Sequence, residues 1–331
     1  MTSAVEARPR RGGGWAGTVA RVLRDQPTIP LIALLVLLVI LFELLRPGTV
    51  GVNWAAVLVR AAIPLAILAG CQTLAMLTGG IDLSVGAVAS MSGFLVATLV
   101  GNMPVELAVL VALLAAALAG IVTGIGVGVF RVHPLIMTLG MGLIVLGLAN
   151  VWQLEMVQTA SGVPVAFRTL GSAMSLGLLP NSLLVFVPIA LAILVCLRRT
   201  GYGRLLYAVG DNPIAARLSG TRSWQVLLVL YVISAVLAGI CGFLISGLTN
   251  VASVTVANTY VLPSVAAAVI GGTSIMGGRG GFGGTIVGAL ILQVVISLLS
   301  ALGYPEAVRQ VLFGSIVVVI AAAYVRISGD S

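Results

Sequence analysis

Only 8% of these 331 residues are charged and 60% are hydrophobic, with a mean hydropathy of +1.20; a water-soluble domain carries about 25% charged residues, so lipid must be the main solvent of this chain. Its net charge of +8 comes from seventeen arginines and no lysine, which excludes a Walker-type phosphate loop and a Schiff-base lysine, because both need the amine. The single His133 cannot build a multi-histidine metal centre, and Cys71, Cys196 and Cys241, spread through apolar runs, argue against a disulfide framework.

Residues 1–29 hold Arg8, Arg10, Arg11, Arg21 and Arg24 among glycine and proline and are expected to be a disordered basic segment. The apolar run from Ile29 reaches Leu45, long for the apolar region of a secretory signal and without an A-x-A-like cleavage site after it. It reads as an uncleaved first span. At roughly 20 apolar residues per spanning helix the length allows about ten spans. They are predicted at 30–45, 54–78, 85–101, 105–130, 134–153, 181–197, 225–248, 261–276, 283–300 and 308–325. The fold class is therefore all-α: one polytopic membrane domain over 30–326, with some short or broken spans and a tail at 327–331. Arginine placement checks that count. With the N-terminus inside, thirteen arginines fall in inside segments and only Arg46 and Arg168 in outside loops, the asymmetry that marks cytoplasmic loops. Both termini are predicted to be cytoplasmic, and the positive charge requires no nucleic-acid partner. The longest outside loop, 154–180, is apolar enough to lie along the membrane surface.

Three places can carry chemistry. In LTGGIDLSVGAVASMSG (77–93), Asp82 is the lone acid between Glu43 and Glu106. Gly79 and Gly80 are expected to break the helix. A carboxylate at membrane depth is costly and faces a cavity or a partner; the alternative is a cytoplasmic turn in which Asp82 caps the next helix. Ser84, Gln72, Thr73, Thr138 and Asn150 are further candidates to line a path, each equally suited to a bond between helices. The second place is the polar stretch 198–224, which holds Arg198, Arg199, Arg204, Arg217 and Arg222. Within GDNPIAARLSG (210–220), Asn212 suits an N-cap, Pro213 the first helical position and Gly220 the stop, with Arg217 in the last turn. Ile214 and Leu218 share a face, while Ala215 and Ala216 leave part of this short helix smooth, suited to a cleft in another protein or to lying on its own. The third place is GGTSIMGGRGGFGG (271–284), read as a tight structural hairpin with Arg279 at a cytoplasmic tip.

TGGIDLSVG (78–86), HPLIMTLGM (133–141), GRLLYAVGDNPIAARLSG (203–220) and AAVIGGTSIMGGRGGFGGTIVGAL (267–290), in that order, resemble the permease subunit of ribose-type sugar ATP-binding-cassette importers. The wider superfamily also holds branched-chain amino-acid permeases. The resemblance implies a non-catalytic subunit in a bacterial inner membrane. It implies a second permease subunit, an ATPase chain that binds ATP and magnesium so that this chain holds no cofactor, and an extracytoplasmic sugar-binding protein. It also implies that the segment Gly210, Asp211, Asn212, Pro213, Ile214, Ala215, Ala216, Arg217, Leu218, Ser219 and Gly220 couples to the ATPase. Relatives often carry glycine at the position of Asp211 and a charge at Pro213–Ile214. An ion-coupled secondary transporter is the competing reading, and Asp82 is the one acid placed to serve it.

Overall fold

Apolar runs of about 20 residues satisfy their own backbone in lipid by coiling into helices. The computed structural model describes residues 28–156, 162–175, 177–312 and 314–315. Its helices are α1 (Thr28–Leu45), α2 (Val52–Leu77), α3 (Val85–Leu99), α4 (Val105–Gly128), α5 (Pro134–Met156), α6 (Val165–Gly171), α7 (Leu183–Arg199), α8 (Gly201–Asp211), α9 (Pro213–Leu218), α10 (Ser223–Thr249), α11 (Val261–Ile270) and α12 (Phe282–Ala301). A two-residue hairpin, β1 (Met174–Ser175) against β2 (Leu179–Pro180), departs from an otherwise all-α chain. Among the described residues α1, α2, α4, α5, α10 and α12 are long and apolar enough to cross a membrane, and α7 with α8, bent by 69°, adds up to one more. The protein is a polytopic helical membrane protein. The expected disordered segment, the tail and most of the span predicted at 308–325 lie outside the described residues.

Two predicted spans are shorter than expected. The helix foreseen over 261–276 stops at Ile270, because Gly271 turns out of it and Gly272 takes φ +87°. At 1.5 Å per residue α11 reaches only about 15 Å and α3 about 22 Å, against a hydrocarbon core of about 30 Å. Both are half-length helices, each entered by non-helical chain: 78–84 before α3, and 250–257 before the 3-10 turn Asn258–Tyr260 that leads into α11. The remaining loop, 162–180, folds back on the bundle. There Phe167 of α6 stacks on Phe243 of α10 with ring centroids 4.8 Å apart.

These half-helices belong to an internal repeat that composition does not reveal. The Cys71 thiol of α2 donates to the Ser234 carbonyl of α10, and the Cys241 thiol of α10 donates to the Pro64 carbonyl of α2. The two helices are therefore antiparallel, and the steps 71 to 241 and 64 to 234 are both 170 residues. The same step carries α2 onto α10, α3 onto the turn and α11, and the body of α4 onto α12. Neighbours repeat as well: α3 and α4 lie on α10 as α11 and α12 lie on α2. An approximate twofold axis perpendicular to the helices relates the halves, the inverted architecture found in many transporters. Bonding between these apolar helices relies on close approach. Cβ atoms at Gly120, Gly124 and Gly128 of α4 would collide with the backbone of α10 at Tyr231, Leu228 and Trp224.

Candidate functional site

Segment 81–84 is non-helical chain packed into the bundle, and every polar group it buries there needs a partner. Side chains from two helices supply them. The Gln72 amide of α2 donates to the Asp82 carbonyl (2.8 Å) and accepts from its N–H (3.1 Å). The Thr138 hydroxyl of α5 donates to the Ile81 carbonyl (3.0 Å) and accepts from the Leu83 N–H (3.1 Å). The Asp82 carboxylate then ties the segment to α10. Oδ1 accepts from the Ser84 N–H (3.0 Å) and hydroxyl (2.6 Å), and Oδ2 from the Ser234 hydroxyl (2.8 Å). Asp82 is 2% exposed, so its carboxylate does not face water. It stands two residues before Ser84, the N-cap of α3, and acts as a brace between helices rather than as the cap.

Thr73 belongs to a separate cluster: its hydroxyl donates to the Ala69 carbonyl and meets the Thr285 hydroxyl of α12 at 2.7 Å, with Thr273 3.5 Å beyond. Asn150 joins neither. It is exposed, and its amide donates to the Leu146 carbonyl one turn back on α5. Of the six candidates, Gln72, Asp82, Ser84 and Thr138 thus converge on one buried knot. Sequence reading missed Ser234, Thr273 and Thr285, because a serine or threonine in an apolar helix gives no clue to its face. It also missed Tyr231, whose hydroxyl has no hydrogen-bond partner among the described residues and lies 3.0 Å from where a Cβ on Gly80 would stand.

The coupling loop is built by local chemistry. The Asn212 carbonyl oxygen Oδ1 accepts from the N–H groups of Ile214 and Ala215 (3.1 and 3.0 Å), with Pro213 at the first helical position of α9. At the other end Gly220 takes φ +86°, its N–H donates to the Arg217 carbonyl, and the Thr221 N–H reaches the Ala216 carbonyl. That pair of bonds is the Schellman stop, which suits glycine. Arg217 folds its Nε onto the Pro213 carbonyl, and the Ser219 hydroxyl donates to the Ala215 carbonyl. The smooth face, however, is divided. Ala216 is buried against its own chain, whereas Ile214 and Leu218 are 64% and 85% exposed. An apolar ridge, not an alanine-smooth surface, faces outward. The loop also contains α8, unforeseen as a separate helix, which begins where the Thr200 hydroxyl accepts from the Gly203 N–H.

The C-terminal end of α8 is wedged into the bundle. A Cβ on Gly210 would meet the Gly278 nitrogen at 2.8 Å and crowd the Leu77 carbonyl, the group to which the Gly278 N–H donates (3.0 Å). The Tyr207 hydroxyl donates to the Gly280 carbonyl (2.9 Å). The end of α2, the end of α8 and the glycine hairpin therefore meet backbone to backbone. Gly277, Gly278 and Gly280 of that hairpin all have positive φ, a conformation open to glycine at little cost. The exposed ridge of α9 follows α8 after a single residue, and the buried knot follows α2 after a short turn.

Among the described residues no group of three His, Cys, Asp or Glu is placed to hold a metal ion. A helical bundle built of inverted halves, with half-length helices and an exposed capped helix at one end, defines a permease-type membrane component. The family model described as branched-chain amino acid transport system / permease component matches residues 55–321, and the chain belongs to this family. It is similar to the ribose import permease protein of Bacillus subtilis (strain 168), with 34% identity over 254 residues, 76% of this chain and 79% of that one. It is similar to the fructose import permease protein of Rhizobium meliloti, with 32% identity over 77% of this chain and 73% of the relative. A probable ABC transporter permease protein of Escherichia coli (strain K12) is 34% identical over 296 residues, 88% of this chain and 87% of its own length. No solved structure is a significant match.

Proposed function

We propose that this chain is the membrane-spanning permease subunit of an ATP-binding-cassette importer for a simple sugar in a bacterial cytoplasmic membrane. The substrate class rests on relatives named for ribose and fructose import. Ten spans with both termini in the cytoplasm fit the arginine distribution, and the loop carrying α9 then faces the cytoplasm. One observation carries the mechanism: α9 presents Ile214 and Leu218 to the outside while its root, α8, is locked to the ends of α2 and the glycine hairpin. An ATPase chain that receives this ridge gains a lever on the bundle. Movement of α8 passes to Leu77, and from there through the 78–84 segment to the knot at Asp82. ATP and magnesium belong to that partner. A second permease subunit and an extracytoplasmic sugar-binding protein complete the assembly, and no nucleic acid takes part. Ligand binding shifts such a machine only if the partners prefer one state over the other.

The test is co-purification of the ATPase subunit with Leu218→Arg and Ile214→Arg variants. Both side chains are exposed, so folding stays within about 0.5 kcal/mol of the parent, while a charge driven into an apolar cleft weakens docking by about tenfold or more. Retained co-purification with ATP-dependent uptake intact sinks the proposal. Uptake in vesicles that needs an ion gradient and no ATP instead establishes the secondary-transporter reading.

A further inference from the structure

The twofold repeat makes one asymmetry conspicuous. In the first half, Gly120 sets α4 directly on Tyr231 and Ala235 of α10, and that contact is closed. Stepping 170 residues puts Leu290, Val294 and Leu298 where Gly120, Gly124 and Gly128 stand. Bulky side chains now stand between α12 and its neighbours, with Val294 and Leu298 filling the space against Leu58 and Phe42. A cavity of about 180 Å³ opens beside them, lined by Ala61, Leu65, Thr259, Tyr260, Pro263, Gln293, Ile296, Glu306 and Arg309. Two of its polar groups lack the partners that their counterparts in the first half have. Thr123, the equivalent of Gln293, donates to Ala119 of its own helix, and Ser90, the equivalent of Tyr260, accepts from the Ala257 N–H. The Gln293 amide, the Tyr260 phenol and the Thr259 hydroxyl have no hydrogen-bond partner among the described residues. Gln293 and Tyr260 are half-buried and Thr259 is exposed, so these groups open onto the cavity, where a polar ligand can pair them. Beside them Arg309 is held by Glu306 and by the Ser300 hydroxyl (2.9 Å), leaving its Nε buried and unpartnered.

We infer that this cavity is a sugar subsite of the permease itself, taking one monosaccharide ring; the inference rests on the sugar-import reading above. Donors and acceptors in alternation are what adjacent ring hydroxyls require: an amide that offers both, two hydroxyls, a carboxylate and a guanidinium. Tyr260 and Pro263 supply an apolar wall for the C–H face of the ring. The volume is below the ~300–1,000 Å³ of sites for drug-sized ligands, which favours a single ring. The position also suits a waypoint. Ala61 lies in the half of α2 remote from Leu77, and Gln293 and Ile296 lie in the half of α12 remote from the glycine hairpin, so the cavity sits on the side of the bundle away from the coupling helix. A sugar entering from that side would meet it at the start of the half-helix α11.

The experiment uses the full transporter, with its ATPase and binding protein, reconstituted in vesicles and given a panel of labelled pentoses, hexoses and polyols, with leucine as a control. Gln293→Leu is expected to lower uptake of the preferred sugar about tenfold, the scale of one lost ligand hydrogen bond, with ATPase co-purification and basal ATP hydrolysis unchanged. Tyr260→Phe, which keeps the ring wall, is expected to fall in between. To separate ligand contact from folding, a second arm labels Gln293→Cys with a small methanethiosulfonate reagent, and the transported sugar must slow that labelling while leucine does not. Undiminished uptake by a folded Gln293→Leu variant, or labelling of Gln293→Cys that the sugar leaves unchanged, overturns the subsite. Protection by leucine and not by sugar overturns it in favour of an amino-acid site. A parent complex that imports none of the panel overturns the sugar-import reading instead, an outcome separable from the others because it needs no variant.

Discussion

At the scale of single residues, Asp82 is the side chain on which most of the buried polar knot depends. Its carboxylate satisfies the Ser84 N–H, the Ser84 hydroxyl and the Ser234 hydroxyl at once, at 2% exposure. Removing it leaves all three donors unpaired in a buried site, and each unpaired group costs about 1–3 kcal/mol. Asp82→Ala is therefore expected to lower the thermal midpoint of the detergent-purified protein by far more than Asp82→Asn. The asparagine keeps Oδ1 for Ser84 and offers its amide to a Ser234 hydroxyl that can turn to accept. Ser234→Ala, which removes one bond and leaves one carboxylate oxygen unpaired, belongs between them. Equal melting of the alanine and asparagine variants would show that the carboxylate contributes nothing as a brace.

At the scale of elements, α9 was legible in advance because everything that starts and stops it lies within eleven residues, 210–220. An asparagine, a proline and a glycine at fixed spacing suffice when the interactions are local. Asn212→Ala is expected to cost α9 about 0.5–2 kcal/mol and, with the helix frayed, to weaken ATPase retention while leaving the spans intact; retention equal to the parent's would remove the cap from the coupling argument. What the segment alone does not carry is its orientation. Ala216 looked like part of a smooth outward face, yet it turns inward, because the direction of α9 is set by α8 and by contacts to residues far along the chain. The knot around Asp82 escaped for the same reason. Gln72 and Thr138 were visible as polar residues in apolar helices, but their common partner, segment 81–84, is defined only once α2 and α5 lie side by side. Helix length was least legible at α11, where the expected span runs through Gly271 and Gly272 to Met276 although those glycines end the helix. A variant that jams the junction tests its part in transmission. Gly210→Val places a branched side chain against Leu77 and Gly278, and is expected to abolish uptake while α9 still retains the ATPase; full uptake would uncouple that contact from transport.

For the whole molecule, the inverted repeat sets two long antiparallel helices, α2 and α10, at the centre and hangs a half-length helix on each. Such a scaffold offers different chemistry at its two ends, and which end faces the cytoplasm decides the mechanism. The helix α7 separates the β1–β2 hairpin from α8 and α9, so Leu179 and Leu218, 54% and 85% exposed, lie at opposite ends. Cys71 and Cys241 are fully buried and Cys196 is partly buried, which keeps background labelling low. With the arginine-rich end inside, Leu179→Cys is expected to react with an impermeant maleimide in intact spheroplasts, and Leu218→Cys only after the membrane is opened. The reverse pattern would put α9 on the outer surface, out of reach of any cytoplasmic ATPase, and the coupling role of its apolar ridge would fall with it. Labelling of Leu218→Cys in opened membranes should also be blocked when the ATPase chain is added back, since the ridge that reports orientation is the surface proposed to be covered. Orientation and docking are thus read at one residue, and a helix that labels from inside yet stays open to reagent in the assembled complex would separate the two.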